Sequence, residues 1–312
     1  MKTSEIRIQQ ISAILGEPPL TGVPLKHLTS FRVGGPADIV AFPRDPQSLS
    51  RLLSFCKTEG IRHFMLGAGT NVLFHDDGFR GLVVSGLRMK TLTFEEKDSR
   101  KNKIIAQAGV PLPLVVSKAC RLGLTGMESL WGIPGSVGGS VACNAGAGGI
   151  SVADLITELK LVDALGSRTK LLKGSFSYGY RKLNLPSGSV VLEAGFELNP
   201  GKLDEIGKKL TEFRAHRKLS QPRGYPNAGC IFKNPSNAMP AGALIEKLGF
   251  KGFECGGASV STVHANFIIN RNKAKASDIL KLINTISEAA QEKAGIDLEL
   301  EIRVVHPEEK NV

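Results

Sequence analysis

The segment "WGIPGSVGGSVACNAGAGG", residues 131–149, is dense in glycine and lies between two stretches of regular periodicity. Before it, "PLPLVVSKACRLGL" (111–124) predicts a helix that ends at Gly123, and after it "ELKLVDALGSRTKLL" (158–172) predicts a β-hairpin. Glycines at this density let backbone N–H groups converge and let a bulky anion approach the chain closely. We therefore expect a folded loop that either holds a phosphate group or makes tight turns without a ligand.

A second glycine loop, "GAGTN" (67–71), follows the predicted strand "RHFMLG" (62–67). The dinucleotide-binding fingerprint requires a glycine where this chain has Val72, and "HDDGF" (75–79) interrupts any following helix. The sequence also lacks the GK[ST] element of a nucleotide-binding P-loop. Since a net charge of +11 favours anionic partners, two such loops favour a diphosphate held between them over two empty turns.

The composition is that of an ordinary soluble globular protein, with 312 residues, 42% hydrophobic and 22% charged. No apolar run is long enough to span a membrane, and the N-terminal stripe of Ile8, Ile11 and Leu15 encloses Glu5, which is typical of an amphipathic helix rather than a signal peptide. We expect a cytoplasmic protein. Aromatic residues are only 6% and no nucleic-acid motif occurs, so a phosphorylated small molecule explains the positive charge at least as well as nucleic acid.

The cysteines and histidines give no metal or disulfide pattern. The five cysteines are an odd number without a CxxC pair, and the six histidines are scattered. This argues against a disulfide framework and against a zinc site, so we expect no metal.

Changes of periodicity divide the chain into three predicted lobes, residues 1–86, 87–200 and 201–312. The first two are rich in strands and helices around the two glycine loops. In the third, "ASDILKLINTISEAAQEKAG" (276–295) predicts an amphipathic helix. The strict alternation in "DLELEIRVV" (297–305) predicts a strand with its leucines on one face and its charges on the other.

Seven motifs, taken in chain order, resemble those of the UDP-N-acetylenolpyruvoylglucosamine reductases, also called UDP-N-acetylmuramate dehydrogenases. Any one motif is weak, but seven in register, from about residue 24 to residue 304, are specific. They are "FRVGGPAD" (31–38), "LGAGTNVLF" (66–74), "GIPGSVGGSVACNAGA" (132–147), "YR" (180–181), "NAGCIFKNP" (227–235), "VHANFIINR" (263–271) and "LELEIR" (298–303).

The resemblance implies an α+β fold, with a two-lobed FAD-binding region of the vanillyl-alcohol-oxidase type and a C-terminal α+β substrate-binding lobe. It implies NADPH-dependent reduction of the enolpyruvyl ether of UDP-N-acetylglucosamine to the lactyl ether, which gives UDP-N-acetylmuramate for peptidoglycan synthesis. The implied partners are non-covalent FAD, NADPH as co-substrate and the UDP-sugar. The oligomeric state stays open.

The resemblance also implies three groups of site residues. The catalytic positions match Arg181, Cys230 and Glu301. The substrate-binding group is Lys218, which matches a lysine near the substrate, with Tyr225 and Asn234. The residues implied to cradle FAD are Gly67, Ala68, Gly69, Thr70, Asn71, Gly135, Ser136, Val137, Gly138 and Gly139.

The implied reaction gives each catalytic side chain a chemical reason. When hydride reaches the alkene, negative charge develops beside the substrate carboxylate. The planar guanidinium of Arg181 would bind this carboxylate and stabilise the developing charge. Cys230 would supply the proton, since a thiol, with an ordinary pKa of about 8.5, is a far better acid than the serine hydroxyl of many relatives. Glu301 would assist at the carboxylate while protonated or sharing a proton. Taken singly, each has an ordinary alternative: a packing cysteine, a surface cation and a solvated acid.

The sequence departs from the family pattern in ways that predict the shorter subgroup without an extra tyrosine-bearing loop. Leu183 stands where many relatives have serine, and Gly148 where others have tyrosine; Tyr225 is the candidate to compensate. Two other functions stay open here. One is a flavin oxidase for a sugar or lactone, which often tethers flavin through a histidine, although "GAGTNVLF" has none and His75 follows it. The other is a basic binding module without catalysis.

Overall fold

The computed structural model describes residues 3–96, 102–235 and 239–308. Three short 3-10 turns occur there, at Leu25–His27, Gly86–Arg88 and Glu128–Leu130. None of the described helices is long and apolar enough to cross a lipid bilayer. The helices are α1 (Thr3–Leu15), α2 (Pro46–Thr58), α3 (Leu112–Arg121), α4 (Val137–Ala142), α5 (Val152–Leu155), α6 (Leu203–Ser220), α7 (Ala241–Lys247) and α8 (Ala276–Ala294).

The strands are mostly short, and the longest, β15, crosses the middle of the molecule's largest sheet. In chain order they are β1 (Leu20–Pro24), β2 (Pro36–Ala41), β3 (His63–Leu66), β4 (Val72–Phe74), β5 (Phe79–Ser85), β6 (Leu92–Glu96), β7 (Asn102–Gln107), β8 (Leu124–Thr125), β9 (Gly146–Ala147), β10 (Ile150–Ser151), β11 (Ile156–Val162), β12 (Arg168–Leu172), β13 (Ser177–Gly179), β14 (Lys182–Asn184), β15 (Val190–Pro200), β16 (Glu254–Cys255), β17 (Ala258–Val260), β18 (Ile268–Asn270) and β19 (Arg303–Val305).

Three sheets carry the architecture. A four-stranded sheet has the order β1-β2-β5-β3, in which β2, β5 and β3 run parallel. A six-stranded antiparallel sheet has the order β12-β11-β15-β7-β6, with β8 beside β15. A three-stranded sheet, β16-β17-β18, lies under α8. The predicted lobes 1–86, 87–200 and 201–312 stay predictions, and residues 1–2 and 309–312 at their outer ends lie outside the described residues.

Local signals explain why the helices begin and end where they do. Asp45 accepts hydrogen bonds from the backbone N–H of Gln47 and Ser48, both at 2.8 Å, and so caps α2. Pro46 fits the first turn, where no N–H is needed. Gly60, at φ +60°, lets the chain leave the helix in the left-handed region. All three signals lie in the sequence within one residue or two of the ends of α2.

The prediction for α8 is confirmed by its buried face, while the prediction for the final strand is largely wrong. Within 297–305 only β19 forms, and Leu300 makes a single bridge with Phe232. The backbone changes neighbour part-way: Glu301 N–H donates to Ile231 O at 2.8 Å, whereas β19 pairs with β4. A long strand requires one continuous neighbouring edge, and this segment divides its hydrogen bonds between two.

Strand β4 forms within a segment that the sequence predicted to be a loop, and it joins the C-terminal part of the chain to the first glycine loop. It runs parallel to β19, with Val72 opposite Arg303 and Phe74 opposite Val305. A second link lies close by, because Asp76 accepts hydrogen bonds from the N–H groups of Ala276 (2.7 Å) and Ser277 (3.0 Å) at the start of α8. These links fix the C-terminal helix and strand beside the glycine loop.

We expect Asp76→Ala to lower the free energy of unfolding by about 1 kcal/mol at neutral pH, the usual effect of removing a helix cap. Burial raises the pKa of Asp76, but the hydrogen bonds from Ser277 and Ala276 outweigh it and leave the pKa below its ordinary value. The stabilisation is therefore complete above the unfolded-state pKa of about 3.9 and is lost as pH falls through the lower folded-state value.

Urea unfolding of the wild type and of Asp76→Ala, at neutral and at acidic pH, measures both effects. The matched control is Asp77→Ala, whose largely exposed carboxylate pairs only with His75 at 3.1 Å and should change stability by less than about 0.5 kcal/mol. Equal losses in the two variants would contradict the specific role of Asp76.

Candidate active site

Arg181 occupies a strained turn between β13 and β14. Its φ of +53° lies in the left-handed region, which a non-glycine residue adopts at a cost and which often marks a functional position. Its Nη1 donates to Gly146 O at 3.0 Å, and its Nε lies 2.6 Å from Glu301 Oε1. The buried Nε has no aligned hydrogen-bond partner among the described residues, so the contact with Glu301 is an ion pair of close charges.

The position of Glu301 is fixed by hydrogen bonds of its own backbone N–H and C=O groups. Its N–H donates to Ile231 O at 2.8 Å, and its carbonyl accepts from Asn71 Nδ2 at 3.1 Å. Burial raises the pKa of the carboxyl group, Arg181 lowers it to a smaller extent, and the net result lies above the ordinary value. A carboxyl group in this state is suited to holding or sharing a proton near neutral pH.

Cys230 is the third member of this group. It follows Gly229, whose φ of +80° allows the sharp turn, and it is partly buried. Burial, with a smaller contribution from Glu301, raises the pKa of the thiol to about 12, against the opposing effects of Arg181 and Arg217. The thiol therefore carries its proton at neutral pH, but the ordinary pKa of about 8.5 assumed from the sequence does not apply here.

The two glycine loops lie against each other. Thr70 Oγ1 donates to Pro134 O at 3.1 Å, and a Cβ atom on Gly67 would lie only 2.7 Å from Ser136 Oγ. Gly138 is equally confined, since a Cβ there would lie 2.8 Å from that of Ala108. Glycine at these two positions is therefore required by close packing within the protein, and it brings the two loops together. The buried Ser136 hydroxyl caps α4, accepting from Gly139 N–H.

Comparison with known proteins identifies the family. Residues 221–305 match the family described as the C-terminal domain of UDP-N-acetylenolpyruvoylglucosamine reductase, and residues 37–171 match a family of FAD-binding domains. The chain is 41% identical to the UDP-N-acetylenolpyruvoylglucosamine reductase of Geotalea uraniireducens over 97% of this chain and 99% of that protein. The chain belongs to the UDP-N-acetylenolpyruvoylglucosamine reductase family. The enzyme of the same name from Clostridium novyi is 40% identical over 92% of each chain.

A crystal structure from this reductase family shows the same fold. The enzyme from Thermus caldophilus superposes with a TM-score of 0.76 at 34% identity, covering 90% of this chain and 97% of that one. The family and the α+β fold class predicted from the sequence are confirmed, and the FAD-binding match, which spans both glycine loops, confirms the predicted FAD cofactor.

Two residues near the reductase site were missed by the sequence analysis. Cys143 lies within the second glycine loop, and burial raises its pKa to about 11. The charge of Arg181 lowers this pKa and that of Glu301 raises it, both to a smaller extent. Arg217, on the last turn of α6, lies in the field of Cys230. Cys143 lies within the motif at 132–147, where the glycines and not the cysteine drew the interpretation; Arg217 belongs to none of the seven motifs, and its only signal was that it adjoins Lys218 in a basic stretch.

The three predicted substrate-binding residues stay predictions. Lys218 is exposed on α6 and makes no polar contact with the described residues. Tyr225 is 46% exposed, and its backbone carbonyl accepts from Asn227. Asn234 uses its side-chain oxygen to accept from the N–H of Ala241 at 3.0 Å, which caps α7.

The two departures from the family pattern have structural explanations. Leu183 is buried in the core of the six-stranded sheet, so this position offers no polar group to a substrate. Gly148 has a φ of +60°, and a Cβ there would lie 3.0 Å from both Phe213 of α6 and Ser129. A tyrosine does not fit at that position, because α6 already covers it.

We expect Glu301→Gln to accelerate alkylation of Cys230 by iodoacetamide in mildly alkaline buffer by about tenfold, the effect of lowering the thiol pKa by ~1 unit. The substitution removes a negative charge that raises the pKa of Cys230 and frees the positive charge of Arg181, which lowers it. Peptide mass spectrometry of the Cys230 peptide over time gives the rate.

Glu299→Gln is the matched control, because Glu299 is exposed, pairs with Lys233 and does not contribute to the shift in the pKa of Cys230. An unchanged Cys230 rate in Glu301→Gln, or an equal change in Glu299→Gln, would remove Glu301 from the electrostatic environment of the thiol.

Proposed function

We propose that this protein uses FAD to reduce UDP-N-acetylenolpyruvoylglucosamine to UDP-N-acetylmuramate at the expense of NADPH. The observation that supports this best is the 41% identity to a reductase of that name over 97% of the chain. The chain also has side chains suited to this chemistry: Arg181 contacts Glu301, and the charges of both residues act on the thiol of Cys230. The oxidase alternative is disfavoured, since the family match extends through residues 221–305, the part specific to the reductases.

The backbones of residues 67–71 and 135–139 would hold the diphosphate of FAD, without a covalent bond to the cofactor. When bound, FAD supplies hydride transfer from NADPH to the alkene of the UDP-sugar. The glycine contacts described above bring the two loops together, which fits this task. His75, the histidine that a tethered oxidase would need, lies 3.1 Å from Asp77 at the far end of β4.

Arg181 and Glu301 hold the acid end of the substrate. The guanidinium, fixed by Gly146 O, presents its planar donor fork to the enolpyruvyl carboxylate and stabilises the charge that develops beside it. Entry of a second carboxylate raises the pKa of Glu301 further, because two negative charges repel at short range. Glu301 then takes a proton from solvent and releases Arg181 to the substrate.

Cys230 gives the proton. Its S–H bond breaks, a C–H bond forms at the carboxylate-bearing carbon of the substrate, and sulfur keeps the electron pair until water returns a proton. A buried thiol that is fully protonated at neutral pH holds this proton until the substrate carbon becomes basic enough to take it. The substrate carbon is therefore protonated only after negative charge has developed on it.

The wider setting belongs to the same proposal. The product would serve as a peptidoglycan precursor, which links the protein to cell-wall synthesis, cell shape and cell division, and a cytoplasmic location follows from such a role. The net charge of +11 suits two anionic substrates, NADPH and the UDP-sugar, which take turns in one cleft. Lys218, Tyr225 and Asn234 stay candidates for contacts with the UDP-sugar.

The purified protein should be yellow. Under anaerobic conditions NADPH should bleach the flavin absorbance, and the enolpyruvyl UDP-sugar should restore it. Acid precipitation should release all the colour into the supernatant, as expected for non-covalent FAD. Colour retained in the pellet, with oxygen and not the UDP-sugar restoring absorbance, would indicate the oxidase; a colourless protein that binds nucleic acid in a salt-dependent manner would indicate the basic binding module.

Cys230→Ala should reduce flavin reoxidation by the UDP-sugar at least ~100-fold, the lower range for loss of a general acid. Flavin reduction by NADPH should be unchanged, since no proton from sulfur is needed there. Stopped-flow absorbance separates the two half-reactions. Cys230→Ser, the side chain of many relatives, is the control and should retain useful activity; normal reoxidation in Cys230→Ala would exclude the thiol as proton donor.

A further inference from the structure

The β-hairpin that positions Arg181 has little stability of its own. Strands β13 and β14 have three residues each and form a separate two-stranded sheet. All of β13 is exposed, and in β14 Leu183 is buried while both its neighbours are exposed. A hairpin of this size is at best marginally stable in water. The left-handed conformation of Arg181 at the turn persists only where the surrounding structure holds it, so its position depends on contacts from outside the hairpin.

The second glycine loop supplies two such contacts. The side-chain Nδ2 of Asn144 donates to the carbonyl oxygen of Gly179, the last residue of β13, at 2.8 Å. The guanidinium Nη1 of Arg181 donates to the carbonyl oxygen of Gly146, which closely follows Asn144, at 3.0 Å. The backbone before Arg181 and the side chain of Arg181 are therefore both docked on the same short segment of the loop.

The amide of Asn144 is buried, and both of its polar atoms are used. The residue is 3% exposed, and its Oδ1 accepts from the backbone N–H of Ala153, in α5, at 3.0 Å. Its φ of +42° lies in the left-handed region just after the end of α4, a place where helices often end on glycine or asparagine. Glycine would adopt this conformation at lower cost. What asparagine adds is the amide, which joins the loop, α5 and the hairpin.

We infer that Asn144 is a positioning residue of the reaction, whose amide holds the strained turn so that Arg181 presents its guanidinium to the substrate carboxylate. Asn144 closely follows α4, whose first turn belongs to the segment 135–139 proposed to hold the FAD diphosphate. One buried side chain thus links the cofactor loop to the arginine that binds the substrate. This inference rests on the role proposed for Arg181 and adds the residue that fixes its geometry, on which binding of a planar carboxylate depends.

The test measures how strongly the enzyme prefers a ligand that has the carboxylate. The oxidised, FAD-bound enzyme is titrated with the enolpyruvyl UDP-sugar and with UDP-N-acetylglucosamine, which lacks the enolpyruvyl group and its carboxylate. The change in flavin absorbance gives both dissociation constants. Their ratio reports the contribution of the acid end, whereas a general loss of folded or FAD-bound enzyme affects both ligands alike. Arg181→Gln should lower the preference for the enolpyruvyl ligand and is the positive control.

Asn144→Asp should lower this preference about tenfold at mildly alkaline pH, because an ionised carboxylate cannot donate to Gly179 O and is repelled by it. At mildly acidic pH the preference should return to within about threefold of wild type at the same pH, since a protonated carboxyl group donates to Gly179 and still accepts from Ala153. Burial favours this protonated form. Asn144→Gly, which suits the left-handed backbone but has no amide, should lose the preference at both pH values.

Asn184→Asp is the matched control. Asn184 is an exposed asparagine of the same hairpin, and its Nδ2 donates to Ser177 Oγ within the hairpin at 2.8 Å. The preference of this variant should stay within about twofold of wild type at both pH values, as expected for an exposed substitution.

An unchanged preference in Asn144→Asp or in Asn144→Gly, an equal loss in Asn184→Asp, or a loss in Asn144→Asp that acid does not reverse would overturn the inference. Either Asn144 variant suffices if the other does not retain FAD. The outcome is distinct from failure of the proposed function. A wild type that binds both ligands equally would exclude that function and this inference with it. A preference that is normal in wild type and lost in Arg181→Gln leaves only the role of Asn144 to be decided.

Discussion

The pairing of β19 with β4 is the constraint on which the site depends. The first glycine loop runs directly into β4, so the C-terminal strand can reach its partner only by passing beside that loop. Asn71, the last residue of the loop, makes two hydrogen bonds to the C-terminal segment. Its backbone carbonyl accepts from Arg303 N–H at 2.9 Å, and its side-chain Nδ2 donates to Glu301 O at 3.1 Å. Ile231 then takes the N–H of Glu301, which brings Cys230 to the same place.

Burial is the second common factor, since it sets the protonation of the site. It raises the pKa of Cys230, Cys143 and Glu301 together, so that both thiols keep their protons at neutral pH and the carboxyl group takes up a proton more readily than an exposed one. Two arginines, Arg181 and Arg217, lower the pKa of Cys230 against the effect of burial, and their own partners differ. Arg181 is balanced by an acid, while Arg217 faces only an amide.

Much of the fold was readable from local sequence, because the deciding interactions are local. The cap of α2 by Asp45, the buried face of α8 and the hairpin before residue 172 depend on neighbours within a few positions. The glycine loops were also recognisable, since their backbone conformations exclude other residues. The three catalytic positions, in contrast, came from motif resemblance; no periodicity or spacing connects Arg181, Cys230 and Glu301.

The sequence by itself determined the family, the helices and the residue types that the chemistry needs. Only the tertiary structure decided the end of the last strand, where alternation predicted regular pairing and two competing neighbours divide the hydrogen bonds. It also decided that Arg217 is partly buried against Gly132 whereas Lys218, the next residue on α6, is exposed, because one residue of helical rotation separates the two directions. The physical reason is the same in both cases: burial and pairing depend on segments far apart in the chain, which local patterns do not record.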